Sequence, residues 1–229
     1  MVISAISDLM FKKEKIMENK IYTKVFLWMF IGLLVTFLTG AYTSTNIDAL
    51  EVIFSQGLYW AFAVAEIVLA IILSARIHKM QPTTAKILYL LYTFLTGLTL
   101  SSIFIVYKLQ SIMLVFLVSS ILFLVFALIG HFTKIDLSKI GIYLIMILFG
   151  IILCSIINIF LGNETFDIII SCISVVVFLG YIAYDIQKIK RIDGMLPEDN
   201  LAVIGAFELY LDFINLFLDL LRLFGKSDD

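Results

Sequence analysis

Five polar side chains recur through the last apolar stretch of the chain, Leu201 to Phe224: Glu208, Asp212, Asn215, Asp219 and Arg222, spaced 4, 3, 4 and 3 apart. At about 100° per residue they share roughly 80° of arc, one polar stripe on an apolar rod. As a helix the stretch is about 35 Å long, enough to cross a bilayer. A carboxylate facing lipid at mid-depth costs about 2.5–3.5 kcal/mol or more, so the stripe must face protein or a watery cavity. This helix is therefore expected in the middle of a bundle.

Asp185 lies near the end of the preceding apolar segment, which must run antiparallel to that helix. If Asp185 and Asp212 meet in a low-dielectric site, they cannot easily both ionise. They share a proton and titrate as a coupled pair, which makes a proton sensor. Strict hairpin counting places Asp185 nearer Glu208, and Lys188 three residues on offers a surface ion pair instead. Arg76 ends the second apolar segment, either as a snorkelling anchor or as a cation closing over the aspartates. Glu66 stands alone in FAVAEIVLAIIL; a buried partner on another span and a place along an ion path both turn it inward. Thr96, Gly97, Thr99, Ser101 and Ser102 read as small residues that let helices approach closely. His78 and His131 have no neighbours at metal-ligand spacing, and no phosphate loop or activated serine is present, so no catalytic set and no cofactor site is expected.

These residues must be positioned by membrane helices. Of the 229 residues 62% are hydrophobic, against roughly 45–50% in soluble chains. The apolar runs give seven spans: Val25–Ile47, Val52–Ala75, Ile87–Tyr107, Leu109–Thr133, Ile140–Asn163, one from Ile168 that passes Asp185 before DGMLPEDN breaks it, and Leu201–Phe224. The expected organisation is a lead over residues 1–24, a seven-helix domain over 25–225 and a short polar tail over 226–229. Lysine and arginine cluster in alternate connections, and Lys108 alone falls in the opposite set, which puts the amino end in the cytosol. Seven crossings then leave the carboxyl end outside, unless the last helix re-enters and returns. Cys154 and Cys172 lie within apolar runs and read as packing residues. The basic residues flank spans and imply no nucleic acid.

The stretches LSARIHKM, TGLTLSSIFIVY, GYIAYDIQKIK and LYLDFINLFLDLLRLFG resemble the Bax inhibitor (TMBIM) family of multi-spanning membrane proteins, and its bacterial branch best. The resemblance runs from about Trp60 to Gly225 and leaves out the lead. It implies an all-α membrane protein with two three-helix layers around a central last helix, in a bacterial plasma membrane. It also implies a pH-sensitive calcium leak, with Asp185 and Asp212 as the aspartate pair, Arg76 as the arginine that latches them and Glu66 as the acid of the second helix. Calcium would be the transported ion. Asp212, Asp185 and Glu66 are its expected ligands, and Glu66, Glu208 and Asp219 line its path.

Two other classes compete. Some bacterial relatives are described as partners of membrane proteases, in which case the stripe is structural glue. An intramembrane aspartyl protease would also use two aspartates on adjacent helices. Against it, Asp212 sits in LYLDF rather than in a Gly-x-Gly-Asp setting.

Overall fold

A computed structural model describes the backbone of residues 2–55 and 57–226, with side chains described over 20–54 and 57–226. The long helices are α1 (Val2–Ser44), α3 (Leu58–Arg76), α4 (Pro82–Thr99), α6 (Leu109–Phe132), α7 (Ser138–Leu161), α8 (Glu164–Ile192) and α9 (Glu198–Phe224), with short helices α2 (Ile47–Ser55) and α5 (Ile103–Val106) between them. Among the described residues, seven segments are long and apolar enough to cross a membrane, the first being Lys20–Ser44. The protein is an all-α, multi-pass membrane protein.

Local chemistry explains the boundaries. Asn46 accepts the backbone N–H of Ala49 at 3.1 Å and opens α2. Gly57, at φ 73°, then turns the chain into α3. The expected second span from Val52 was therefore wrong at its start: the hydropathy is continuous there, and only this glycine divides the two helices. Pro82 occupies the first turn of α4, where its missing N–H is harmless. At its far end Thr96, Thr99, Ser101 and Ser102 bond to carbonyls three or four residues back, and the helix tightens to a 3-10 turn over Leu100–Ser102. Beyond Asp185, α8 continues to Ile192, as its sequence predicts.

In α9, 72% of the most apolar window is buried, against 6–39% in the other spans. It packs against α1, α4, α6 and α8, while α3 lies on α4 and α7 on α8. Two three-helix layers, α1/α3/α4 and α6/α7/α8, thus enclose it. The backbone runs as one helix from Val2 into the first span, which starts at Lys20. Of the expected polar tail over 226–229, residues 227–229 lie outside the described residues.

The first turn of α9 is held by ions. Lys20 and Lys24 reach Glu198 at 3.1 Å each, and Lys24 and Lys86 reach Asp199 at 3.0 and 2.7 Å. Acidic residues suit a helix amino terminus, and the lysines bring α1 and α4 onto it. One residue on, Asn200 is buried and donates to the carbonyls of Ile77 and Met80 at 2.9 Å, pinning the end of α3. Asn200→Ala is expected to cost about 1–2 kcal/mol, read as a lower unfolding temperature in detergent.

Candidate functional site

Asp185 comes from α8 and Asp212 from α9. The extra turns of α8 beyond Asp185 and the early start of α9 at Glu198 bring the two to one depth. Both side chains are buried, at 6% and 5% exposure, and the carboxyls lie within hydrogen-bonding reach of each other. Ionised carboxylates only accept, so a hydrogen bond across this contact would need one of the two groups to carry a proton. Asp212 Oδ2 is buried without a hydrogen-bond partner. Beside the pair, Lys188 Nζ meets Glu208 Oε1 at 2.5 Å, and Tyr181 faces both aspartates.

Of the partners open to Asp185, the structure thus selects Asp212, with Glu208 close by and Lys188 turned to Glu208. The surface pair of Asp185 with Lys188 is not formed. Lys188, weighed in the sequence only as a surface partner of Asp185, joins this site through Glu208 instead.

Arg76 stands elsewhere. It is exposed at the end of α3, and among the described residues its side chain makes no hydrogen bond or ion pair. The expected latch over the aspartates is not formed here. The physical reason is packing: α3 lies on α4 in the opposite layer from α8, and its end is fastened to α9 through Asn200.

Glu66 turns inward as expected. Thr99 and Thr96 of α4 lie at 2.8 and 3.2 Å from its two oxygens. Those threonines are ligands of a carboxyl group as well as spacers, a role that their small size hid in the sequence. Asp219 is buried and accepts from Ser174 of α8. Arg222 bridges Asp167 at 3.3 Å, Ser171 at 3.2 Å and Asp219 at 3.9 Å, closing that end of the stripe. Asn215 bonds back to Leu211 within its own helix.

Asp185, Asp212 and Glu66 are not gathered into one ligand set, and no group of three potential ligands occurs among the described residues. Glu66 belongs to the α3–α4 contact and the aspartates to the α8–α9 contact. The acids instead form separate stations along the bundle. In the loop between α6 and α7, the hydroxyl and backbone N–H of Ser138 hold Asp136 below the usual aspartate range. Asp136 receives Arg191 at 3.2 Å. A lowered value means that this contact persists at neutral pH and fades as acid protonates the carboxylate.

The family described as inhibitor of apoptosis-promoting Bax1 matches residues 18–229. The chain belongs to the Bax inhibitor family. The match takes in the first span and the last residues of the lead, so it reaches further than the sequence motifs from Trp60 onward. Among bacterial relatives, the inner membrane protein YbhL of Escherichia coli is 42% identical over 210 residues, covering 89% of this chain and 90% of that protein. A protein of Borreliella burgdorferi is 41% identical over 221 residues, covering 94% and 95%. An uncharacterized membrane protein of Streptococcus pyogenes serotype M1 is 39% identical over 175 residues, covering 75% and 76%. The Bax inhibitor assignment agrees with the all-α, seven-span architecture.

Proposed function

We propose that this Bax inhibitor family member is a passive, proton-gated calcium leak in a bacterial plasma membrane, with its amino end in the cytosol. The observation that carries the reading is the close approach of two buried carboxyls, Asp185 and Asp212, inside the bundle rather than at its surface. The acids Glu66, Glu208, Asp212 and Asp219 offer calcium few oxygen ligands at any one depth. A path needs such sparse ligation, because full coordination would trap the ion.

Gating follows from charge. When the pair loses a proton, its negative charge attracts a cation, and Arg76 at the cytosolic end of α3 is exposed and makes no ion pair among the described residues. Its arrival ties the two layers and closes the mouth. A returning proton weakens that tie and shifts the population toward an open form. Carboxyls in contact with Arg76 exposed support the protonated half of this cycle. The unbroken helix from Glu198 to Phe224 favours a full crossing by α9, with the carboxyl end outside. Inside, the Lys188–Glu208 pair sits beside the aspartates, and at the other end Arg222 guards Asp219.

Calcium flux into liposomes holding the purified protein tests the reading. Flux is expected to exceed that of empty liposomes and to rise as pH falls from about 8 to 5, by at most about tenfold per unit for one proton. Flux no greater than that of empty liposomes overturns it, and a membrane protease recovered with the protein in the same preparation then favours a regulatory partner.

A further inference from the structure

The two layers of the bundle touch at one end and part at the other. Early in the first span, Tyr22 of α1 meets His131 of α6 at 5.3 Å between ring centroids, and Phe26 meets Phe123 at 6.5 Å. Toward the opposite end the same helices turn to other partners. Phe37 of α1 lies against Phe104 of α5 at 5.7 Å, while Phe116 of α6 lies against Phe213 and Phe217 of α9 at 5.3 and 6.2 Å.

A groove of about 280 Å³ opens between these two rows of rings. Leu34 and Phe37 wall it on one side and Met113 and Phe116 on the other, with Phe213 and Phe217 of the central helix as its floor. Thr36 is the one polar residue lining it, and its hydroxyl is already engaged by the Thr93 carbonyl at 2.9 Å and the Tyr210 hydroxyl at 2.6 Å. Water needs two or more polar partners, so such a slot does not hold it. Leu34 and Met113 are 43% and 56% exposed, and in a membrane-spanning bundle that exposure is to lipid chains.

The groove has a charged mouth. Lys108 precedes α6, and its backbone N–H donates to the Lys226 carbonyl at 3.1 Å; the Lys226 N–H donates in turn to Ser111 Oγ at 3.0 Å. These bonds lay the chain that follows α9 across the first turn of α6 and set the two lysines side by side. The approach is close, since a Cβ on Gly225 would stand 2.6 Å from the Tyr107 ring. Both lysines are exposed, and among the described residues neither side chain makes a hydrogen bond or ion pair. Asp167 and Asp219, the acids on the facing turns of α8 and α9, are taken by Arg222. From Lys108 the chain rises about 12 Å to Phe116, and from Phe224 back to Phe213 about 16 Å. The slot therefore runs about as deep as one leaflet, half of a hydrocarbon core of about 30 Å.

We propose that the groove and its two lysines bind one anionic glycerophospholipid, an acyl chain lying between α1 and α6 and the phosphate resting on Lys108 and Lys226. In the orientation proposed above, this is a lipid of the outer leaflet. Apolar walls accept the chain of any phospholipid, and the lysines select the negatively charged headgroup. A second copy of the chain docked there would bring the same lysines together across a twofold axis, like charge against like.

Native mass spectrometry of the full-length protein, extracted from liposomes of equal phosphatidylglycerol and phosphatidylcholine, tests the proposal. One phosphatidylglycerol per chain is expected to be retained, in preference to phosphatidylcholine by about fivefold or more. Lys108→Ala with Lys226→Ala should bring the two lipids to near equality, while Lys79→Ala, at the opposite end of the bundle, should leave the preference intact. Met113→Trp and Leu34→Trp fill the slot from facing walls and should each reduce retention of both lipids. Their unfolding temperatures in detergent should match wild type, because neither position is buried. Equal retention by the wild type, a preference that survives loss of both lysines, or retention untouched by both tryptophans overturns the proposal. A dimer that Met113→Trp disrupts also overturns it and gives the groove to a second copy. None of these outcomes depends on calcium transport, so failure of the leak reading is seen separately in the flux measurement.

Discussion

Asp212→Asn is expected to leave calcium flux in liposomes flat between about pH 5 and 8, at the value wild type reaches in acid. The amide carries its donor at every pH, so the contact with Asp185 persists and can no longer be titrated away. The variant stays in the protonated half of the cycle. Asp212→Leu separates charge from contact: it leaves Asp185 buried without its partner, a cost of several kcal/mol, and should lower stability where asparagine does not. Flux in Asp212→Asn that keeps the wild-type slope would exclude the pair as the sensor.

Gly130 carries the other large effect. A Cβ added there would stand 2.3 Å from the Ala183 carbonyl oxygen and 2.7 Å from its Cα, both backbone atoms of α8. No side-chain rotation relieves such a clash, so α6 and α8 must separate. Gly130→Ala is expected to cost about 1–3 kcal/mol and Gly130→Val to prevent folding, read as unfolding in detergent. Because Ala183 is two residues before Asp185, the alanine variant should also blunt the pH response. Gly150 is the control, since its Cβ would meet nothing within 4 Å and Gly150→Ala should be neutral or slightly stabilising. Equal melting temperatures for Gly130→Ala and Gly150→Ala would remove the packing argument.

The centre of the fold was legible because lipid forbids what it does not cover. Five polar residues on one stripe could only mean an enclosed helix, and Asp212 and Asp219 are indeed buried. Asp185 was placed only by the antiparallel register of its helix, which left Glu208 and Lys188 open as partners. Features that depend on contact between distant segments left no trace. Glu198 and Asp199 read as loop charges, and nothing in their spacing points to Lys20, Lys24 and Lys86. Thr96 and Thr99 have the right size for close packing, so their bonds to Glu66 were invisible until α3 and α4 were side by side. Arg76 shows the converse limit. A cation at the end of a span is placed by sequence to within a turn, but which layer it faces is decided by helix packing.

The ionic collar around Glu198 and Asp199 makes α9 a lever with one end fixed. Its 27 residues extend about 40 Å from that collar, so a tilt of about 5° moves Phe224 by roughly 3–4 Å while Leu201 hardly shifts. Any swing of the rod is therefore magnified at Asp219 and Arg222 and small at Asn200. Mechanical advantage thus lies at the end furthest from the lysines.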